Sequence, residues 1–359
     1  MRKTTILVTT TVFMLGAAAG AQTHAPWPAD WNNWNDPALW CAVGDRGNAA
    51  DMRYNLSDRP EGYGAVAYTY SIGKFEVTAG QYTAFLNAVA ATDTFGLYNL
   101  QMGRPLYHGC NIRQNGLSGS YTYSIGDEWA NRPVNYINWG NAARFANWLT
   151  NGRPTGAQDA STTEDGSYYL NGARTNAALM AVTRKANAKY VIPTEDEWYK
   201  AAYYKGGSTS AGYWNYPTRS NKSPTADLDD VSGNNANYFT TPYIYPIDTD
   251  MYYTTVAGEF QNSSGPHGTF DQGGNVFEWN EANLYGDRRG LRGGAYYFTD
   301  MDMYASGRSF SYCNGYPSGV GNYNPNNTGF RVALVPEPTT LALVALGGLA
   351  VIRKRRHML

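Results

Sequence analysis

The chain has 359 residues, with 28 Lys and Arg side chains against 29 Asp and Glu side chains. This length allows one large domain or two ordinary ones. Without the charged residues of the two terminal signals described below, 22 basic and 28 acidic side chains remain, and their net charge of −6 argues against a nucleic-acid partner, which needs a basic face.

Residues 1–21 have the layout of a secretory signal peptide. Arg2 and Lys3 form a charged start, an apolar run extends from Ile6 to Gly20, and cleavage is predicted before Gln22. The alternative is a short membrane anchor, but a membrane span needs about 20 apolar residues. We therefore predict that the chain is exported and that residues 1–21 are removed.

Residues 22–60 form a lead before the main domain, which we place at residues 61–335. The tryptophans of this lead are Trp27, Trp31, Trp34 and Trp40. They are interpreted as packing onto the main domain, with a sugar-stacking strip as the alternative. No Pro- or Ser-rich linker divides the remaining chain, so one domain is expected.

The cysteines are Cys41, Cys110 and Cys313. An exported protein can pair two of them, and the sequence leaves open which pair forms. No CxxC motif or Cys/His cluster is present, so no structural zinc site is expected.

The first regular elements are a strand and a helix. The segment Gly64 to Phe75 alternates in a way that suits a half-buried strand. Thr78 and Gln81 have the spacing of a capping box, which predicts a helix start. The apolar residues that follow at helical spacing are interpreted as core: Tyr82, Phe85, Leu86 and Val89.

Two more helix starts follow the same logic. Asn138 is a cap residue before an amphipathic stretch, and Thr194 and Glu197 form a second capping box. Glu195 and Asp196 would then lie in the first turn, where the helix dipole favours negative charge. These paired acids are therefore not interpreted as catalytic.

Two segments lack strong signals for helices or strands. Residues 150–189 open with a turn-rich sequence and are predicted to be a surface insertion. From Tyr203 to Phe270 the chain is dominated by Gly, Asn, Ser, Thr, Tyr and Pro. The tyrosines are too many for a disordered segment.

The stretch Phe270 to Trp279 is polar and rich in exposed backbone. Gly273 and Gly274 permit a positive φ or a close approach, and Asp271 and Glu278 flank that turn with carboxylates. Calcium prefers carboxylates combined with carbonyl oxygens. The alternative is a hydrogen-bonded turn with a buried aromatic anchor and no metal.

This stretch resembles the D-x-x-G-N-V-x-E-W signature of the formylglycine-generating enzyme/sulfatase-modifying factor family. Further matches to that family lie in order along the chain: Phe75-Glu76-Val77-Thr78, Arg132-Pro133-Val134 to Trp139, Ile192-Pro193-Thr194-Glu195-Asp196-Glu197-Trp198, Leu291-Arg292-Gly293-Gly294-Ala295 and Gly329-Phe330-Arg331. The resemblance implies an α+β, C-type-lectin-like fold with few regular elements and long ordered loops, commonly held by Ca²⁺.

The resemblance also implies two structural calcium sites. The first combines side-chain oxygens with main-chain oxygens, in the order Asp271, Gly274, Val276 and Glu278. The second combines a side chain and a neighbouring carbonyl twice, in the order Asn237, Tyr238, Asp250 and Tyr252. For both sets the alternative is a metal-free turn.

The enzymes of this family bind copper through two cysteines shortly after an R-G-G-S motif. Here Arg292-Gly293-Gly294 is followed by Phe298 and Met303 near those two positions. Thiolates are the ligands suited to soft Cu(I), and one neutral thioether does not replace a pair of them. No copper and no catalytic residue are therefore predicted.

A second branch of the family holds non-haem iron with three histidines on a separate helical domain. The histidines of this chain are His24, His108, His267 and His357. The first and last lie in the terminal segments, and the two that remain do not build a three-histidine centre. No iron is expected.

The C-terminal segment 336–359 has the layout of a sorting signal. Val335-Pro336-Glu337-Pro338 precedes an apolar run from Leu341 to Ile352, and Arg353-Lys354-Arg355-Arg356 follows it. This order resembles the PEP-CTERM signal of Gram-negative bacteria, which a sorting protease removes during export. The alternative is a plain C-terminal anchor, although the run is short for a span.

Two classes of function remain open. The favoured one is an exported, calcium-stabilised, non-catalytic module at the cell surface or outside the cell, which binds an unknown protein or glycan through the tract Tyr296 to Asn327. The alternative is a metalloenzyme with an altered centre that uses Asp300, Asp302 or Met303. Arg292 and Arg331 are interpreted as internal ion-pair or carbonyl-binding residues, with binding of an anionic ligand as the alternative.

Overall fold

The computed structural model describes residues 30–54, 59–240, 253–314 and 325–336. The predicted signal peptide, most of the C-terminal segment, and Asp250 and Tyr252 lie outside these residues. Within them the α-helices α1 to α6 are, in chain order, Ala79–Val89, Asp127–Ala130, Trp139–Thr150, Asn176–Met180, Glu195–Tyr203 and Asp300–Met303. The strands β1 to β12 are Trp40–Val43, Tyr70–Gly73, Arg113–Asn115, Thr122–Ser124, Tyr190–Val191, Tyr204–Gly206, Gly212–Tyr213, Phe277–Leu284, Arg288–Arg292, Ser309–Ser311, Thr328–Gly329 and Ala333–Leu334.

Two four-stranded sheets organise the described part of the fold. The first has the order β1-β2-β12-β5, and the second has the order β10-β9-β8-β11. In the first sheet all pairs are antiparallel, whereas β11 runs parallel to β8 in the second. The last strand of the domain therefore lies in the interior of the first sheet, between two strands from much earlier in the sequence.

The three predicted helix starts are confirmed. Thr78 caps α1 and Thr194 caps α5, each in a complete capping box, and the side chain of Asn138 accepts a hydrogen bond from the Asn141 amide at the start of α3. These caps satisfy backbone N–H groups that have no partner within the helix. The signals are local, which is why sequence alone located them.

Aromatic side chains connect α1 and α3 in the main core. Phe85 meets Phe145 edge to face with ring centroids 5.2 Å apart, and Phe145 meets Phe330 at 5.3 Å. Trp34 of the lead packs on Phe145 at 5.7 Å. The lead therefore adds to the main core, and its strand β1 pairs with β2 as an edge of the first sheet.

Two expectations about local structure need correction. The strand predicted over Gly64 to Phe75 is confined to β2, because residues 64–69 form turns and irregular backbone. The segment 150–189 is not simply a surface insertion, since Tyr168 is fully buried and Glu164 binds the buried Arg144 at 2.6 Å. Buried contacts of this kind depend on tertiary neighbours.

The three cysteines are buried and unpaired. Cys313 lies with its Sγ 3.1 Å from Sδ of Met180. In the described ranges, no helix has the length and apolar character needed to cross a bilayer.

Candidate functional site

The Gly-Gly turn lies directly before β8 and touches the segment that carries the second predicted ligand set. Gly274 has a φ of 83°, and a Cβ added there would lie 2.2 Å from the carbonyl oxygen of Asn237, so only glycine fits. Asn275 donates its amide to that carbonyl at 2.8 Å, and Asn237 Nδ2 donates to Asn275 Oδ1 at 3.0 Å. The structure thus brings Asn237 into contact with the first predicted set of calcium ligands.

Glu278 is fully buried and accepts three hydrogen bonds from two residues. Arg331 binds it in a bidentate manner, Nε to Oε2 and Nη2 to Oε1, both at 2.6 Å, and Trp198 Nε1 donates to Oε2 at 2.7 Å. A carboxylate offers about four lone-pair positions. Oε2 accepts two of these bonds and Oε1 accepts one, which leaves a lone pair of Oε1 for a further partner.

Arg331 connects this carboxylate to two other parts of the chain. Its Nη1 donates to the Gly73 carbonyl and its Nη2 to the Phe270 carbonyl, each at 2.9 Å. The guanidinium is completely buried. The interpretation of Arg331 as an internal ion-pair residue is confirmed, and so is that of Arg292, which binds Glu195 at 2.8 Å.

Two more carboxyl groups lie near Arg331 with few partners. Glu76 is buried, and neither of its carboxyl oxygens has a hydrogen-bond partner among the residues that the structure describes. Burial raises the pKa of Glu76 well above its ordinary value, and the Asp271 charge adds to this. Burial also raises the pKa of Asp271 to about 7, against a hydrogen bond from the Gly258 amide.

The charges of this cluster do not balance without a further partner. Within the described residues, Arg331 is the guanidinium that interacts with Glu76, Asp271 and Glu278, and with this one positive charge three ionised carboxylates would leave a net charge of −2 in a low-dielectric site. Either protons or a divalent cation restores neutrality. Calcium fits this donor chemistry, because hard cations bind carboxylate and carbonyl oxygens.

The side chains alone do not form a metal cage. Within the described ranges, no three His, Cys, Asp or Glu side chains converge closely enough to hold an ion. Calcium here would depend on main-chain carbonyls, which the predicted set places at Gly274 and Val276. Asp271 and Glu278 would supply the side-chain oxygens.

The second predicted set is only partly within the described residues. Asn237 is buried and donates its Nδ2 to the Tyr253 carbonyl at 3.0 Å, and Tyr238 donates its hydroxyl to the Pro224 carbonyl at 2.6 Å. Asp250 and Tyr252 lie outside the described residues. This second site therefore stays a prediction.

An aromatic stack lies beside these loops. The His108 ring is 3.7 Å from that of Tyr253 and 5.7 Å from that of Tyr296, measured between centroids. Tyr297, which follows Tyr296 in the sequence, is 58% exposed, and Met301 is 63% exposed. Sequence reasoning counted His108 only as one scattered histidine, and it did not single out Glu76, although an acid between Phe75 and Val77 is a sign of a buried carboxyl group.

Residues 41–335 match the model of the sulfatase-modifying factor enzyme 1-like domain. The chain belongs to this family. Residues 334–356 match the PEP-CTERM protein-sorting motif, which indicates export and surface sorting. No curated protein matches the sequence.

Three solved structures are similar to the chain at low sequence identity. Treponema denticola variable protein 1 is 18% identical with a TM-score of 0.46, and the match covers 83% of this chain and 95% of that one. CarF is 17% identical with a TM-score of 0.45, covering 83% and 98% of the two chains. PvdO from Pseudomonas aeruginosa is 16% identical with a TM-score of 0.43, covering 83% and 94%. The family fold is the α+β, C-type-lectin-like arrangement that the sequence predicts.

The two residues predicted to lie near the family's copper-binding thiol positions are packed by other side chains. Met303 is fully buried, and its main-chain carbonyl accepts a hydrogen bond from Tyr203 at 2.9 Å. Phe298 packs edge to face on Phe277 with centroids 4.8 Å apart. Burial raises the pKa of Cys313 to about 11, so its thiolate, the metal-binding form, is scarce at neutral pH.

Proposed function

We propose that this member of the sulfatase-modifying factor enzyme 1-like family is a calcium-stabilised binding module of the cell exterior and not a formylglycine-generating oxidase. The observation that carries the proposal is the presence of Phe298 and Met303 near the positions of the copper-binding thiols. Export is supported by the PEP-CTERM match. The fold is retained while the ligands for the oxidase chemistry are replaced.

Calcium is supported by the charge imbalance around Arg331. Burial raises the pKa of Asp271 although Arg331 is near, and the Glu76 oxygens have no hydrogen-bond partner among the described residues. One guanidinium therefore leaves these carboxyl groups short of positive charge. A divalent cation between Asp271, the neighbouring carbonyls and Oε1 of Glu278 would supply it. Such an ion would also hold Gly274 against Asn237 in a region with few backbone ladders.

Binding is supported by the aromatic surface around α6. Tyr297 and Met301 are exposed there, beside the stack of His108, Tyr253 and Tyr296. Tyrosine supplies a large contact area at low entropic cost, and it is enriched in recognition surfaces. The ligand class is an unknown protein or glycan.

Calcium dependence is tested by melting the mature protein with EDTA and with excess calcium. At a calcium concentration about 100 times Kd, binding adds about 2.7 kcal/mol, which for a domain of this size corresponds to a rise of roughly 4–5 °C. Asp271→Ala should abolish the rise, whereas Asp229→Ala, at an exposed carboxylate, should keep it. An unchanged midpoint in the native protein would reject the calcium site.

The absence of oxidase activity is tested separately. The protein is incubated with copper, oxygen and a sulfatase-type peptide, and the peptide is weighed. We expect no conversion of cysteine to formylglycine. Turnover-dependent conversion would reject the non-catalytic assignment and favour an altered metal centre that includes Asp302, whose pKa is raised by burial.

A further inference from the structure

The outer face of the first sheet carries an open depression of about 470 Å³ at the point where the chain leaves the domain. Ala42 of β1 and Ser71 of β2, which both have short side chains, line it. Leu334 of β12, Lys189 and Pro336 line it as well. This depression lies on the opposite side of β2 from the buried Ile72, and it plays no part in the calcium or aromatic sites.

The sorting motif begins without a linker at the edge of this depression. Leu334 is aligned with Ser71 on one side and with Tyr190 on the other. The amide of Val335 then donates to the Lys189 carbonyl at 3.0 Å. The family match ends at residue 335 while the sorting-motif match begins at residue 334, so the folded domain and the motif share residues.

The distance from the domain to the apolar run is short. Only Glu337 to Thr340 separate Pro336 from Leu341, the first residue of that run. The five Cα–Cα steps from Pro336 to Leu341 span at most about 18 Å when fully extended. The headgroup layer on one side of a bilayer takes up roughly 5–7 Å of that length, and a single helix with its side chains is about 10 Å thick.

An enzyme that acts on the motif while the apolar run is in the membrane therefore has no room to avoid the folded domain. We propose that the depression lined by Ala42, Ser71 and Pro336 is the docking surface for the membrane-bound sorting enzyme. The enzyme then reads the Pro336-Glu337-Pro338 motif together with the outer face of the first sheet. The short side chains of Ala42 and Ser71 allow the close approach that this geometry demands.

The first test is a substitution that fills the depression. Ala42 is exposed in the edge strand β1, so Ala42→Arg changes the surface and leaves the core intact. Release of the C-terminal segment is followed by pulse-chase and intact mass, using the full-length chain in its native host. We expect release to slow roughly tenfold, equivalent to about 1.4 kcal/mol.

Thr122→Arg is the matched control, because Thr122 is an exposed strand residue of a different sheet. The C-terminal segment of this variant should be released at the native rate. The melting temperature of the mature Ala42→Arg domain should equal that of the native domain, which separates docking from folding. Native-rate release of Ala42→Arg would overturn the proposal.

The second test inserts eight Gly and Ser residues between Val335 and Pro336, which leaves the motif intact but moves it away from the domain. If the domain surface contributes to recognition, the insert slows release, and Ala42→Arg has no further effect on that background. If the domain only obstructs the enzyme, the insert speeds release, and the proposal fails. Equal slowing by Ala42→Arg in both backgrounds would also overturn it, because that result indicates an export defect.

Discussion

Removal of the Arg331 guanidinium should be among the most destabilising single changes in this domain. Arg331 and Glu278 are both completely buried and joined by two contacts of 2.6 Å. Arg331→Met keeps most of the side-chain volume but leaves the Glu278 carboxylate in a low-dielectric site with Trp198 as its remaining described donor. Breaking a buried pair in this way costs about 3–5 kcal/mol.

The two carbonyl oxygens that Arg331 also binds add to this cost. Those of Gly73 and Phe270 lose a donor at 2.9 Å, and an unsatisfied buried acceptor costs about 1–3 kcal/mol. Even the ion-pair contribution alone corresponds to a fall in melting temperature of roughly 5–8 °C for a domain of this size. Because the total approaches the stability of an ordinary domain, the variant is expected to be partly unfolded at room temperature.

Thermal melting of the mature domain in EDTA measures this effect. Arg113→Met, at an exposed arginine, is the control and should melt within about 2 °C of the native protein, as surface substitutions do. Adding Glu278→Gln to Arg331→Met should recover stability, since the cost comes mainly from the unpaired charge. A native-like midpoint for Arg331→Met, or a further loss in the double variant, would refute this reasoning.

Two further predictions concern pH and processing. Burial raises the pKa of Asp271 to about 7, above its unfolded value of about 3.9. In EDTA the native state therefore keeps a proton that the unfolded state has lost, so the free energy of unfolding should fall as pH rises from about 4 to about 7. The fall should be shallower in Asp271→Asn. Calcium should remove this slope, and a flat profile in EDTA would contradict the pKa assignment. Intact mass of the exported protein from its native host should show that residues from about Pro336 onward are absent, since the apolar run is short for a permanent anchor. If most of the protein retains Arg353 to Leu359, only the plain-anchor interpretation is left.

The features that sequence predicted well are those written within a few residues. The caps Thr78, Asn138 and Thr194 bind amides three residues ahead, so their spacing is visible in the sequence. The family motif that contains Gly273 and Gly274 likewise located the turn before β8. The helix starts and the fold class followed from these local signals.

The features that sequence did not predict depend on distant residues. Arg331 binds the Gly73 carbonyl 258 positions away. Glu76 has no hydrogen-bond partner in the described part of the chain because of what packs around it. The contact of Gly274 with Asn237 also joins two predicted ligand sets that are separate in sequence. Such contacts depend on the assembled loops, whose hydrogen bonds carry no periodic pattern.

The measurement that tests the central claim most directly is the metal content of the purified mature protein. A binding module with the calcium chemistry described here should contain calcium in stoichiometric amount and only traces of copper and iron. Stoichiometric copper or iron would contradict the account, because the protein would then hold a functional redox centre built from residues other than the family's thiol pair.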